Sequence, residues 1–322
     1  DITMNSSRVS TLSGKIDVAS VKQGFIDLNS TSTGWKFDYQ KTSEFGEIKL
    51  DKAIIDAITP GGGTINLQAG NQAGNISLQN GSNVVIQNQG FEPSGGININ
   101  AAQTLEMITL NPQNNLSSNI RAESLLGSTG DISISTQHLI SSEGQGIYSY
   151  ALNASGGNII INASESIRLE SLSSNSITTA QIETASFGKG KAGNILVSTD
   201  DLTILNGSRI SSVTRSQGNS GNVTVDAKSI EVNGVGSGFL ASLISAGTLG
   251  EGNAGNLLIN TDRLTISNGG RVDSSTAAQG NAGNVTINAK EFIEVNGTVP
   301  GSINPSLIIS SANLLDELLR LS

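Results

Sequence analysis

Cysteine is absent from all 322 residues, so neither disulfides nor thiolate metal sites hold this fold. That absence suits a chain exported unfolded. Proline is scarce at 5 residues and histidine is single, while aromatic residues make up 3% and charged residues 14% of the chain. Ordinary globular domains carry roughly 25% charge, and an ordinary globular enzyme is therefore not expected. The formal net charge of -9 and the lack of any Lys/Arg stripe exclude the basic footprint that nucleic acid requires. No apolar run approaches the roughly 20 residues of a membrane span, and the opening residues carry no basic, apolar leader pattern.

What the chain has in quantity is glycine, 38 residues, together with Ile, Leu and Val at alternating positions. Glycine supplies tight turns, and period-two alternation marks strands with one buried face. Disorder is excluded by that alternation.

The alternating segments repeat. Gly193-Asn194-Ile195-Leu196-Val197 returns as Gly221-Asn222-Val223-Thr224-Val225, Gly255-Asn256-Leu257-Leu258-Ile259 and Gly283-Asn284-Val285-Thr286-Ile287. Weaker copies open at Gly157, Gly130, Gly96 and Gly63. The intervals from Gly63 to Gly283 are 33, 34, 27, 36, 28, 34 and 28 residues, and from Gly130 onward short and long units alternate. Inside one unit, Ile195 and Val197 are followed by Leu202 and Ile204, then by Asn206-Gly207 and Ile210, which reads as three short strands and two bends.

Units of this length with three strands predict an all-β fold, a three-sided parallel β-helix. At about 4.8 Å per coil, seven complete coils build a rod on the order of 34 Å long. Gly193, Gly221, Gly255 and Gly283 are expected at positive-φ corners, with Asn194, Asn222, Asn256 and Asn284 stacked as an internal hydrogen-bonded ladder. Asn80-Gly81, Asn206-Gly207, Asn233-Gly234, Asn268-Gly269 and Asn296-Gly297 read as further corners. Residues 1–60 form irregular leading coils with an insertion around 29–46, through Trp35, Phe37 and Tyr39. Residues 61–311 form regular coils. Residues 312–322 abandon the alternation, and Leu314, Leu315, Leu318, Leu319 and Leu321 behind Asn313 predict a short C-terminal helix as a cap or tail.

Gly252-Asn253-Ala254-Gly255-Asn256, Gly280 to Asn284, Asp201 to Ser212 and Ala289-Lys290-Glu291 together resemble the filamentous haemagglutinin-like exoproteins of two-partner secretion, of the cyanobacterial type. The resemblance spans about Gly61 to Ser311. It implies a right-handed helix, export through an outer-membrane partner transporter, and adhesion or surface display outside a Gram-negative-type bacterium. Asp1 to Ser10 aligns with Asp201 to Ser211, so the expectation is an internal piece that starts partway round a coil.

Parallel β-helices also carry lyases and hydrolases, and such chemistry needs converging carboxylates or a positioned base. His138 occupies the place of Asp201 and Arg263 in other coils and reads as an exposed turn residue. Asp200 and Asp262 are 62 residues apart, as are Lys228 and Lys290, which marks a repeated surface. No catalytic residue, metal or cofactor is expected. The alternative reading is a glycan-binding or glycan-processing β-helix; sugar sites stack rings on exposed Trp or Tyr, and with one Trp and three Tyr, namely Trp35, Tyr39, Tyr148 and Tyr150, the chain favours a scaffold over a saccharide cleft.

The long units place their extra residues after the second strand, at Met107 to Ser117, Glu170 to Ser176, Gly234 to Ser242 and Gly297 to Ser306. Falling on every second coil, these loops are expected to form a ridge with a repeat of about 9.6 Å. Leu116, Asn175, Phe239 and Pro300 are its candidate contact residues for adhesion or self-association.

Overall fold

The computed structural model describes residues 1–31, 34–61, 63–70, 73–110, 116–142, 144–171, 178–237 and 240–312. Each named element is a strand, and the strands stack in parallel as a β-solenoid. The C-terminal segment expected to be helical lies outside the described residues.

Three faces wind past one another. The first begins with Lys15–Ala19, Thr64–Ala69 and Ile97–Ala101, and the second with Ile2–Asn5, Ile48–Asp51, Ile76–Gln79 and Thr104–Ile108. From Ile132–Ser142 onward a single strand of 11 or 12 residues runs across both faces of each coil. Two separate strands were expected there. The corner between them is softened to a bulge, seen as register shifts at Thr136/His138, Ala163/Ser166 and Thr261/Arg263, so pairing persists through it. The third face holds 10 strands, from Arg8–Leu12 to Leu307–Ile309.

Register explains the alternation. On the second face Ile48, Ile76, Leu105, Leu139, Ile167, Leu202, Ile230 and Leu264 lie directly above one another, each at most 1% exposed. Each buried aliphatic contributes about 1.5–3 kcal/mol, and a like residue one coil away fills the space at its side. The aliphatic core thus runs along the axis.

One element leaves the winding. After Ala19 the chain makes an antiparallel arm, Val21–Gly24 against Thr42–Phe45 and then Asp27–Thr31 against Gly34–Asp38, before rejoining the second face at Ile48. The insertion expected around 29–46 is the returning side of this arm, which begins earlier, at Val21. Phe45 at its root is 2% exposed, and Tyr39 and Phe37 follow it at ring-centroid distances of 5.9 and 6.5 Å. This aromatic row docks the arm on the rod.

Candidate functional site

The Gly-Asn corner is built differently from the sequence expectation. Gly193, Gly221, Gly255 and Gly283 do not have positive φ. They are glycine because successive coils touch there: a Cβ on Gly255 would lie 1.9 Å from the carbonyl oxygen of Gly221. The asparagines form a ladder on the outside of the rod, where the Oδ1 of Asn158, Asn194, Asn222 and Asn256 each accepts the backbone N–H of the Asn one coil on, at 2.9–3.0 Å. Inside, hydroxyls take that role. The buried Thr184 and Ser212 donate to the Gly193 carbonyl at 2.7 and 2.9 Å, and Ser274 to that of Gly255 at 2.6 Å. An inward amide would have left polar atoms unpaired, whereas a hydroxyl fits beside the glycine and satisfies its carbonyl.

The Asn-Gly turns divide into two kinds, and at Asn233-Gly234 and Asn296-Gly297 only the glycine has positive φ. Asn80, Asn206 and Asn268 have φ of 53°, 54° and 52°, and each is followed by a positive-φ glycine. The long loop of the next coil rests on these tight turns. A Cβ on Gly269 would lie 2.4 Å from Val299, and one on Gly207 would lie 2.8 Å from the Leu240 carbonyl oxygen. The long loops do leave from one corner, between the second and third faces, on every second coil. Leu116 is 43% exposed and Pro300 is exposed, whereas Asn175 and Phe239 lie outside the described residues.

A groove of about 410 Å³ opens between the arm and the outer side of the first face. Phe37 and Tyr39 form its wall and Asp17, Asn66, Asn98 and Ser133 part of its floor, with Lys15 and Lys36 at its margin. Lys15 stands 3.1 Å from Asp17 and 6.0 Å from the Phe37 ring centre. Burial, and secondarily Asp17, holds the Tyr39 hydroxyl above its ordinary titration range. Trp35, two residues before Phe37 and therefore on the same strand face, is 60% exposed.

Two further clusters of titratable residues stand apart from the groove. His138 sits within Ile132–Ser142, not in a turn, and its register partners run through Ser166, Asp201 and Ser229 to Arg263. Its Nδ1 is 2.9 Å from Ser166 Oγ and its Nε2 3.3 Å from Glu165. This Ser-His-Glu grouping is drawn from one coil and its neighbour and lies open to solvent, a juxtaposition that only register reveals. On the third face, Tyr148 and Tyr150 are packed together, and the Tyr150 hydroxyl donates to the buried Glu183 at 3.1 Å. Burial first, then Glu183, pushes Tyr148 up to about 12 and Tyr150 higher still. Glu183 also faces Arg209 and Arg215 at 3.6 and 3.8 Å, so these tyrosines are structural partners rather than an open platform. Among the described residues no three His, Asp or Glu side chains converge as metal ligands would. Lys228 and Lys290 reach back one coil to Asp200 and Asp262 at 2.7 and 2.6 Å, a repeated surface pairing.

Asp273 on the same face gives a stability prediction. Its Oδ1 is buried without a hydrogen-bond partner, and burial raises its carboxyl above the ordinary range against the opposing pull of Ser275 and Arg271. A raised folded value means the folded state holds the proton more tightly. Stability is then lost as pH rises from the unfolded value through the folded one, and the ionised group is a net cost at neutral pH. Asp273→Asn is expected to raise the thermal midpoint near pH 7 and to change it little near pH 3. Equal shifts at both pH values would show that ionisation is not the cause.

No protein-family model matches the chain, and neither a curated protein nor a solved structure matches it.

Proposed function

We propose that this chain is the shaft of a secreted bacterial surface adhesin of the filamentous haemagglutinin-like kind, displayed after export through an outer-membrane partner. The observation that carries the reading is the loop row: a rod that makes a long connection at one corner on every second coil. Such a scaffold holds binding loops at fixed spacing, and loops on rigid frames are where recognition concentrates. Self-association along the row is the second use of the same geometry. The Glu165-His138-Ser166 grouping is read as an exposed surface pairing between neighbouring coils, with His138 and Glu165 side chains 37% and 57% exposed.

The test is to replace Gly234 to Ser242 and Gly297 to Ser306 by the short-coil turn of Asn206 to Ser208. The strand signal in circular dichroism is expected to persist, while attachment of rod-coated beads to surfaces, or bundling of rods, falls several-fold. Unchanged attachment and unchanged bundling would assign the loops to decoration and remove the support for this reading. The groove under the arm favours the second reading, a rod that binds glycans.

A further inference from the structure

We infer that the groove beneath the arm is a binding site for an extended acidic glycan chain, lying parallel to the rod axis. The inference is independent of the surface-display reading, since the groove lies on the first face and the loop row at the corner between the second and third.

The outer side of the first face carries two columns of side chains, and the register fixes both. One column reads Asp17, Asn66, Asn98 and Ser133 beneath the arm, then turns to Ile160 and Leu196 beyond it. Its chemistry changes from polar to apolar where the groove ends, as Ile160 is the last coil to line it. The second column stays polar from Gln68 through Asn100, Ser135, Asn162 and Ser198 to Asp226. Two explanations compete for these polar ranks: ladders that stabilise the coils, or a surface for a ligand. Hydrogen bonding separates them. Farther along, Asn260 donates to Asp226 at 2.6 Å and Asn288 to Asn260 at 2.8 Å, as a stabilising ladder does. In the groove the first column is laddered in the same way from Asp17 to Asn98, Asn66 donating to Asp17 at 2.5 Å and Asn98 to Asn66 at 2.8 Å, whereas Gln68, Asn100, Ser133 and Ser135 have no side-chain bond to another described group and keep their donors and acceptors free.

The wall supplies the complementary chemistry. Phe37 and Tyr39 are stacked at an interplanar angle of 12°, giving an aromatic wall opposite a floor of amides and hydroxyls. A pyranose ring has that same division, with apolar C–H faces and a hydroxyl rim, and its length along a chain is comparable to the rank spacing of about 4.8 Å. The groove touches strands of five successive coils, about 19 Å along the axis, enough for several sugars in line. A second recess of about 290 Å³ shares Asn100 and Ser135 with the groove and extends the track toward Asn162. Charge selects among glycans. Lys15 is offset by Asp17, whereas Lys36 has no carboxylate partner among the described residues, leaving the groove one positive charge on a chain of net charge -9. A uronic acid carboxylate is the group this cation suits.

The experiment uses the full chain with oligogalacturonate as the acidic probe, cello-oligosaccharide as the neutral one, and an extended unstructured peptide as the non-sugar control. Calorimetry is the primary readout, with the emission of Trp35, the single tryptophan and a neighbour of the groove-lining Lys36 and Phe37, as the second. Oligogalacturonate is expected to shift Trp35 emission saturably. Phe37→Ala is expected to weaken binding about tenfold or more, and Asn100→Ala to weaken it with the arm left intact. Lys36→Gln is expected to weaken oligogalacturonate and leave cello-oligosaccharide unchanged. The inference is overturned if neither sugar binds, if Phe37→Ala and Asn100→Ala both bind as the parent does, or if only the peptide binds. Equal binding of both sugars, insensitive to Lys36→Gln, would overturn the acidic specificity.

Discussion

The double substitution Gly221→Ala, Gly255→Ala unfolds the centre of the rod at a cost of ~3 kcal/mol per site. The added methyl groups would meet backbone, 2.0 Å from the Gly193 carbonyl oxygen and 1.9 Å from that of Gly221, and the Gly193 carbonyl is fixed by the hydroxyls of Thr184 and Ser212. The coils must separate locally, which breaks the hydroxyl bond from Ser212 to the Gly193 carbonyl and strains the external Asn194–Asn222 contact. Gly301→Ala is the control: its φ is +76° but its Cβ meets nothing within 4 Å, so the cost is the left-handed strain alone, about 1–2 kcal/mol. Urea midpoints measured on both variants decide the matter. If the double variant is no less stable than Gly301→Ala, close approach of the coils is not what keeps those glycines.

Those same glycines show how far the sequence is legible. A repeated glycine announces that a side chain is excluded, but a positive φ and a close backbone approach leave the same letter. Only the three-dimensional distance separates Gly207, with φ of +86°, from Gly255, which needs room. The Asn that follows was readable as a ladder because it recurs; its outward position follows from the strand alternation starting one residue earlier than a corner reading places it. The core was legible almost residue by residue, since Ile195, Val197, Leu202, Ile204 and Ile210 alternate and all are buried. The merging of two strands was not, because a bulge conserves the alternation on either side and alters only the count between.

The groove was the least legible part. Its wall comes from an arm whose aromatics, Trp35, Phe37 and Tyr39, alternate as a strand should but belong to no repeat. Its floor gathers single residues from coils some 30 residues apart, Asn66, Asn98 and Ser133 among them. The signal that existed was the polar column: aligned coil on coil, Gln68, Asn100, Ser135 and Asn162 share one outward position. Hydrogen-bond saturation, which distinguishes a ligand surface from a ladder there, is a property of side-chain geometry and is invisible in letters.

Truncation of Ile204 to alanine is expected to cost about 2–5 kcal/mol, and the same change at Ile293 about 1 kcal/mol or less. Ile204 is fully buried, held between Leu169 in the preceding coil and Val232 in the next, so the vacated space is closed on both sides and cannot collapse without moving two strands. Ile293 lies on the last described second-face strand and is 45% exposed, so its loss opens no enclosed cavity. The rod geometry adds a spatial expectation. Each coil contacts its two neighbours and little else, so stability is close to a sum of coil and interface terms, and damage stays local. Hydrogen exchange on Ile204→Ala should show protection lost across Ile195–Leu205 and the flanking strands Ile159–Glu170 and Val223–Asn233, while Ile48–Asp51 and Ile76–Gln79 keep theirs. Uniform loss from end to end would instead mean that the core column transmits the defect along its whole length and that the solenoid folds as one cooperative unit.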